Sequence, residues 1–120
     1  MTNTHIIGQK AEDIAAEYLS QMKIKVVDRN YRTRYGEIDI VAKDKKEFIF
    51  VEVKAKSTSR YGRPYEMVTG KKQKKLISTS KSYLMDNGFE IEKDSWRIDV
   101  ISIDDETGTI EWLKNAVFES

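Results

Sequence analysis

Cysteine is absent from this chain, and histidine occurs only once, as His5. The first absence excludes a disulfide framework, a thiolate nucleophile and a cysteine-based zinc site. The second excludes a histidine triad and a multi-histidine metal centre, and His5, near a terminus, reads as a solvated side chain. No apolar run approaches the roughly 18 residues that a membrane span needs. The stretch Met1-Thr2-Asn3-Thr4-His5 has neither the basic start nor the long apolar run of a signal peptide. A cytoplasmic location, with no membrane partner, is the expectation. Repeats, low-complexity segments and interdomain linkers are also missing, so residues 1–120 read as one domain.

What remains is chemistry carried by carboxylates, lysines and arginines. The 120 residues are 39% hydrophobic and 34% charged, a balance that suits a small globular core. Net charge is only +1, but its distribution is uneven. From Lys54 to Lys75 there are eight basic residues and one acid, Glu66, leaving 13 basic and 19 acidic residues elsewhere. A locally basic surface on a neutral protein points to a polyanionic partner. A solvated lysine face on a helix is the plain alternative.

The stretch from Gly36 to Lys54 organises the rest. Gly36-Glu37-Ile38-Asp39-Ile40-Val41-Ala42 and Glu47-Phe48-Ile49-Phe50-Val51-Glu52-Val53-Lys54 are rich in β-branched and aromatic residues, and Asp44-Lys45-Lys46 between them is turn-like. The pattern predicts a β-hairpin. Charge falls where a strand would bury apolar groups: Asp39 lies between isoleucines and Glu52 between valines. Alternation puts Glu52 and Lys54 on one face, and an antiparallel partner of suitable register brings Asp39 to that face. Two carboxylates held together raise each other's pKa, and a divalent cation relieves the conflict. An ordinary exposed Glu–Lys pair is the bland alternative.

Taken in order, residues Ile6 to Met22 predict an amphipathic helix on Ala11, Ile14, Ala15, Tyr18, Leu19 and Met22. Glu12 lies at the border of its apolar face and is the one acid of this helix able to reach a site. Ile24 to Asp28 predicts a short strand. Asn30 to Gly36 then reads as a loop in which Arg32 and Arg34 alternate with tyrosines, a pairing suited to phosphate and base contacts. A polar loop from Ala55 to Glu66 holds Lys56, Arg60, Arg63 and the single Pro64. A second helix is expected from Gly70 to Asp86, with Thr69 as N-cap and Gly88 as stop. Its core face carries Leu76, Ile77, Ser80, Tyr83 and Leu84, with Gln73 on the same side. Lys71 and Lys72, in its first turn, are placed to hold phosphate. Ser95 to Asp104 and Thr109 to Leu113 predict a second hairpin. Asp99 within it reads as structural, paired with Arg97, and Trp112 and Phe118 read as packing residues.

Several of these stretches together carry a resemblance. Asp39 followed by Glu52-Val53-Lys54 resembles the PD-(D/E)XK nuclease signature, with Ile38 where the superfamily name would put proline. Asn30-Tyr31-Arg32, Tyr35-Gly36-Glu37-Ile38-Asp39, Phe50-Val51-Glu52-Val53-Lys54 and Arg97-Ile98-Asp99-Val100 resemble the YraN-like bacterial family, relatives of archaeal Holliday junction resolvases. The resemblance covers nearly the whole chain. It implies an α/β, restriction-endonuclease-like (Holliday junction resolvase-like) single domain with a central mixed sheet flanked by helices.

It implies a function too. The activity would be metal-dependent hydrolysis of phosphodiester bonds in duplex or branched DNA, with Mg²⁺ or Mn²⁺ as cofactor and a homodimer as the assembly of the related resolvases. Asp39, Glu52 and the Val53 carbonyl would hold the metal. Lys54 would orient the attacking water, Glu12 would assist, and Gln73 would position Lys54 or the water. Arg32, Arg34, Lys56, Arg60, Arg63, Lys71 and Lys72 would contact the nucleic acid. Two other classes stand beside this reading: a nucleic-acid-binding module with the same fold and little or no turnover, and a scaffold whose basic helix docks an acidic protein.

Overall fold

A computed structural model describes residues 4–56 and 69–118, with side chains from Lys10 onward. Seven elements follow one another: α1 (Thr4–Gln21), β1 (Lys25–Thr33), β2 (Gly36–Asp44), β3 (Glu47–Lys56), α2 (Gly70–Asp86), β4 (Trp96–Asp104) and β5 (Ile110–Val117). The strands form one mixed sheet in the order β1-β2-β3-β4-β5. Only β3 and β4 run parallel, as a crossover through α2 requires; the other neighbours are antiparallel. Among the described residues no helix is long and apolar enough to cross a membrane.

The two helices cover opposite faces of the sheet. Phe48, Phe50, Ile98 and Val100 pack with Leu76, Tyr83 and Leu84 of α2. Ile49, Val51, Ile101 and Ile103 pack with Ala11, Ala15 and Leu19 of α1. Odd and even residues of β3 thus serve different layers, which is why Phe48 to Val53 reads as an almost unbroken apolar run. Phe50 is fully buried, with its ring centroid 5.7 Å from that of Tyr83 and 6.1 Å from that of Trp96.

The bounds expected for α2 hold. Thr69 accepts a hydrogen bond from the Lys72 amide at 3.2 Å. At the other end Phe89 N donates to Leu84 O and Gly88 N to Met85 O, closing the helix around a left-handed Gly88 (φ 80°). Gly36 faces Thr79 and Lys75 of α2, where a Cβ would make ordinary contacts of 3.4 and 3.5 Å; it is the backbone φ of 156° that disfavours a side chain there.

Three boundaries differ from expectation. The strand expected to stop at Asp28 continues to Thr33, so Tyr31 to Thr33 pair with β2 and only Arg34 and Tyr35 turn. The cause is an edge strand with alternate residues exposed, whose polar sequence resembles a loop. Ala55 and Lys56 extend β3 by pairing with Ile103 and Asp104 instead of opening the polar loop. β5 runs to Val117, well past Leu113.

Asp99 is structural, as its setting in an apolar strand suggested. It is fully buried and accepts from Arg97 Nε at 3.1 and 3.2 Å, Trp112 Nε1 at 2.8 Å and the Asn115 amide at 2.8 Å. Arg97 in turn donates to Glu47 Oε1 at 2.6 Å. The Asn115 bond falls beside the left-handed Asn115 (φ 51°), where the β4–β5 register shifts between Ile98 and Val100. Asp99 therefore pins the last strand to the sheet. Asp99→Ala leaves three donors, the Arg97 guanidinium among them, without their acceptor, and is expected to destabilise the fold by about 3–5 kcal/mol. Urea titration of the purified variant measures this, and a loss below about 1 kcal/mol would refute the role.

Candidate active site

The site begins where the hairpin comes apart. β2 and β3 pair from Asp44↔Glu47 to Ile40↔Val51. Two further steps would set Asp39 opposite Glu52 and Ile38 opposite Val53, but the pairing stops. Ile38 and Ile40 fall in opposite core layers, so the strict alternation of a strand breaks at Asp39. Across from it on β1, Asn30 adopts a left-handed φ of 55°. The Val53 amide, left without a backbone partner on β2, donates instead to Asp39 Oδ2 at 2.8 Å. The N–H and C=O of one strand residue point to the same side, so the Val53 carbonyl opens into the same gap.

Glu52 projects to the α2 side of this fork. It is 4% exposed. Its Oε1 lies 3.8 Å from Lys54 Nζ and 3.7 Å from Lys72 Nζ, while Oε2 is buried without a hydrogen-bond partner. Burial, with Asp39 beside it, pushes the Glu52 carboxyl up to about 7 against the opposing pull of Lys72 and Lys54. Asp39 is likewise raised, by burial first and by Glu37, with the Val53 amide, a hydrogen bond with the Glu52 carboxyl and Lys72 acting the other way. Lys54 and Glu52 share a face because strand parity requires it. Lys72 arrives from the first turn of α2.

Glu12 approaches Asp39 from the opposite layer, which its border position on α1 allows. Burial raises its pKa, and the charges of Asp39 and Glu37 add to the effect. Arg29 Nη2 lies 4.0 Å away. With its amide nitrogen turned toward the acids, Asn30 donates to Glu12 Oε1 and Glu37 Oε1, each at 3.0 Å. The opening between β2 and β3 thus gathers Glu12 and Glu37 around Asp39, with Glu52, Lys54 and Lys72 at the α2 side. Among the described residues no group of three or more His, Cys, Asp or Glu side chains is gathered so as to hold a metal ion by itself.

Not every candidate residue converges there. Gln73 faces a hollow on the flank of α2 with Lys74 and Ile77; Lys72, of the same turn, lies 3.7 Å from Glu52. Lys72 is therefore engaged with the carboxylates, whereas Lys71 is exposed and open to phosphate. Lys56 Nζ lies 3.8 Å from Glu111 on β5. Arg32 pairs with Glu37 at 3.4 Å and remains 74% exposed. Arg34 donates to the Tyr35 hydroxyl at 2.9 Å and stacks on its ring. Tyr31 packs edge-on against Tyr83 and donates to Asp86 at 3.0 Å, a packing role. Arg60 and Arg63 lie outside the described residues. Sequence reasoning missed Asn30 and Glu37 as members of the site. Both stand in stretches that carry the resemblance, but nothing in them announces a left-handed asparagine.

Comparison with known proteins places this arrangement in a family. Residues 11–103 match the model of "Uncharacterised protein family UPF0102". A UPF0102 protein of Aliivibrio salmonicida is similar at 40% identity, over 98% of this chain and 95% of its own. One from Chlorobium phaeobacteroides is 43% identical over 85% of this chain and 79% of its own. One from Persephonella marina is 40% identical over 92% of each. Among solved structures, the SfsA of Pyrococcus furiosus in complex with Ca²⁺ is similar at 16% identity and a TM-score of 0.37, over 98% of this chain and 66% of that one. A likeness of that size carries no argument.

The raised Glu52 has a consequence for stability. Above its ordinary value of 4.5 the unfolded carboxylate has released its proton, while the folded one keeps it until about pH 7. The folded state therefore binds more protons in that window, and its stability falls as pH rises from about 5 through 7. Glu52→Gln removes the titrating group and is expected to flatten this fall. Urea midpoints at about pH 5, 6.5 and 8 for both proteins measure it, and parallel pH profiles would contradict the assignment.

Proposed function

The chain belongs to the UPF0102 family, the YraN-like family its motifs resemble, and on that premise we propose that it is a divalent-metal-dependent phosphodiesterase acting on DNA. The observation that carries the reading is the fork itself. A carboxylate from each of two parting strands, a backbone carbonyl and a lysine meet where the sheet opens between its two helical layers. The five-stranded mixed sheet between two helices is compatible with a restriction-endonuclease-like fold, and we read it as one within the PD-(D/E)XK superfamily.

The donor set fits a hard cation such as Mg²⁺ or Mn²⁺, which takes carboxylate and carbonyl oxygens and leaves positions for substrate phosphate and water. Glu52 Oε2, buried without a partner, is the kind of oxygen such an ion satisfies. Asp39, Glu52 and the Val53 carbonyl would hold it. Bound there, the metal would polarise the scissile phosphate and acidify a water.

The rest falls to this chain's own groups. Lys54, held at Glu52, orients the attacking water and offsets charge growing on the non-bridging oxygens. Glu12 holds water on the α1 side of the fork. Lys72 draws a phosphate toward the α2 N-terminus, where orphan backbone amides favour anions. Lys71, exposed beside it, adds a backbone contact.

A specific observation favours a second reading, a nucleic-acid-binding module without turnover. The carboxylates already have partners within the chain, the Val53 amide for Asp39 and Lys54 and Lys72 for Glu52. A site quiet in this way would persist without metal.

Cleavage separates the two. Incubation with Mg²⁺ or Mn²⁺ and single-stranded, duplex, flapped and four-way DNA is expected to yield cuts. Asp39→Asn and Lys54→Ala are each expected to lose about a hundredfold or more in rate. Lys54→Ala is expected to keep DNA affinity within about twofold, since its loss falls on the transition state. Calorimetric metal binding should weaken in Asp39→Ala. Absence of cleavage with every substrate and both metals would leave the binding module.

The salt dependence of DNA affinity checks the basic face separately. Lys71→Ala is expected to reduce the slope of log K against log[salt] by about 0.9 on duplex DNA, with metal affinity unchanged. An unaltered slope would make Lys71 a merely solvated lysine.

A further inference from the structure

Ser102 carries a polar group that the packing of β4 does not use. It is 1% exposed, and its hydroxyl meets no hydrogen-bond partner among the described residues. Burying a hydroxyl without a partner destabilises a fold, and a small apolar side chain would avoid the penalty. Such a group in a native sheet calls for a reason. Ser80 of α2 shares the condition, but eight residues of helix, about 12 Å, separate it from Lys72.

The place of Ser102 in the sheet supplies the reason. β3 and β4 pair without interruption from Phe48↔Trp96 to Lys56↔Asp104, and Ser102 stands opposite Lys54. Opposed residues of neighbouring strands point to one face, with the strands about 4.8 Å apart. This is the α2 face: Phe50 lies on it before Lys54, and Ile98 and Val100 lie on it before Ser102. The flexible four-carbon stem of a lysine spans that gap. Other acceptors nearby are engaged. Glu111, opposite Ser102 on β5, lies 3.8 Å from Lys56 Nζ. Asp104 accepts from the turn amides of Glu106 and Thr107 at 2.9 and 3.1 Å. Glu52 Oε1 is 3.8 Å from Lys54 Nζ, an ion-pair distance too long for a hydrogen bond. Lys54 thus stands between a charged acceptor that a cation would also claim and a neutral one that is not engaged.

We propose that Ser102 is a positioning residue for Lys54: when Glu52 holds a cation, the Lys54 ammonium leaves the carboxylate and is held by the Ser102 hydroxyl. The inference rests on the metal-dependent reading of the fork and deepens it. A cation on Glu52 repels the ammonium, and an ammonium released to water loses the direction that orienting a nucleophile requires. The hydroxyl oxygen accepts one N–H of the ammonium, and the remaining donors stay available to water and a phosphate oxygen. No proton is transferred in this step. The hydroxyl that lacks a partner beside the Glu52–Lys54 pair gains one at the stage where Lys54 acts.

Stability and metal binding test this on the full chain without relying on turnover. Ser102→Ala is expected to leave the urea midpoint of the metal-free protein unchanged or to raise it, because it deletes a hydroxyl that has no partner. It is expected to weaken Mn²⁺ binding in calorimetry roughly three- to tenfold, the net weight of one hydrogen bond. Lys54→Ala removes the competitor for Glu52 and is expected to bind Mn²⁺ at least as tightly as the parent. Ser102→Ala added to Lys54→Ala is expected to change nothing further, the mark of two residues acting as one unit. In the cleavage assay Ser102→Ala is expected to lower kcat about tenfold with KM within about twofold. A lowered urea midpoint in Ser102→Ala makes the hydroxyl structural, and an unchanged Mn²⁺ affinity, or an equal loss with and without Lys54, shows that it does not act through the lysine. Each of these overturns the proposal and leaves the nuclease reading to its own cleavage test. A Lys54-dependent loss of Mn²⁺ affinity in a protein that cuts no DNA supports the positioning role and removes the nuclease reading. A parent protein that binds no Mn²⁺ removes the metal-dependent reading and the role of Ser102 together.

Discussion

One hydrogen bond organises the centre of this protein: the Val53 amide donating to the Asp39 carboxylate. A buried strand amide must find an acceptor, and in a regular sheet Ile38 would supply it. Because β2 leaves β3 after Ile40, a side chain takes over the ladder. The substitution lets the two strands diverge without an orphaned amide, and it fixes a carboxylate in the gap thus made. Everything placed around the gap depends on that divergence. Glu12 comes from one helical layer, Lys72 from the other, and the Val53 carbonyl opens between them.

The same gap explains the electrostatics. Two carboxylates taken out of water resist ionisation, and the raised Glu52 and Asp39 are the result. Lys54 and Lys72 ease the conflict at distances of 3.8 and 3.7 Å without closing it, and Glu52 Oε2 keeps no partner. A site of this kind is under electrostatic tension that a cation or a proton relieves.

Asp39 and Asp99 share one local pattern, an acid among apolar β-branched residues, and have opposite fates. Asp99 is surrounded by four donor contacts from three residues and has no unmet demand. Asp39 has an amide on one oxygen and acids on its flank. The difference lies in their neighbours, Arg97, Trp112 and Asn115 for one and Glu12, Glu37 and Glu52 for the other. Arg97 and Glu37 stand two residues away along the strand; the others come from distant elements.

The sequence by itself determined the elements whose signals are local. The hairpin from Gly36 follows from alternation and a polar turn. The span of α2 follows from Thr69 and Gly88 at its ends. The common face of Glu52 and Lys54 follows from parity, and the inward reach of Glu12 from helical angle. Tertiary structure alone decided the rest, because it depends on groups distant along the chain. The extension of β1 through Asn30 to Thr33 came from pairing with β2, against a polar composition. Lys72 came to Glu52 because α2 packs on the face of the sheet that carries Glu52, a docking no local signal reports. Phe118, expected to pack, became an exposed ring because β5 runs on to Val117 and ends beside α2, a position that apolarity alone could not foretell.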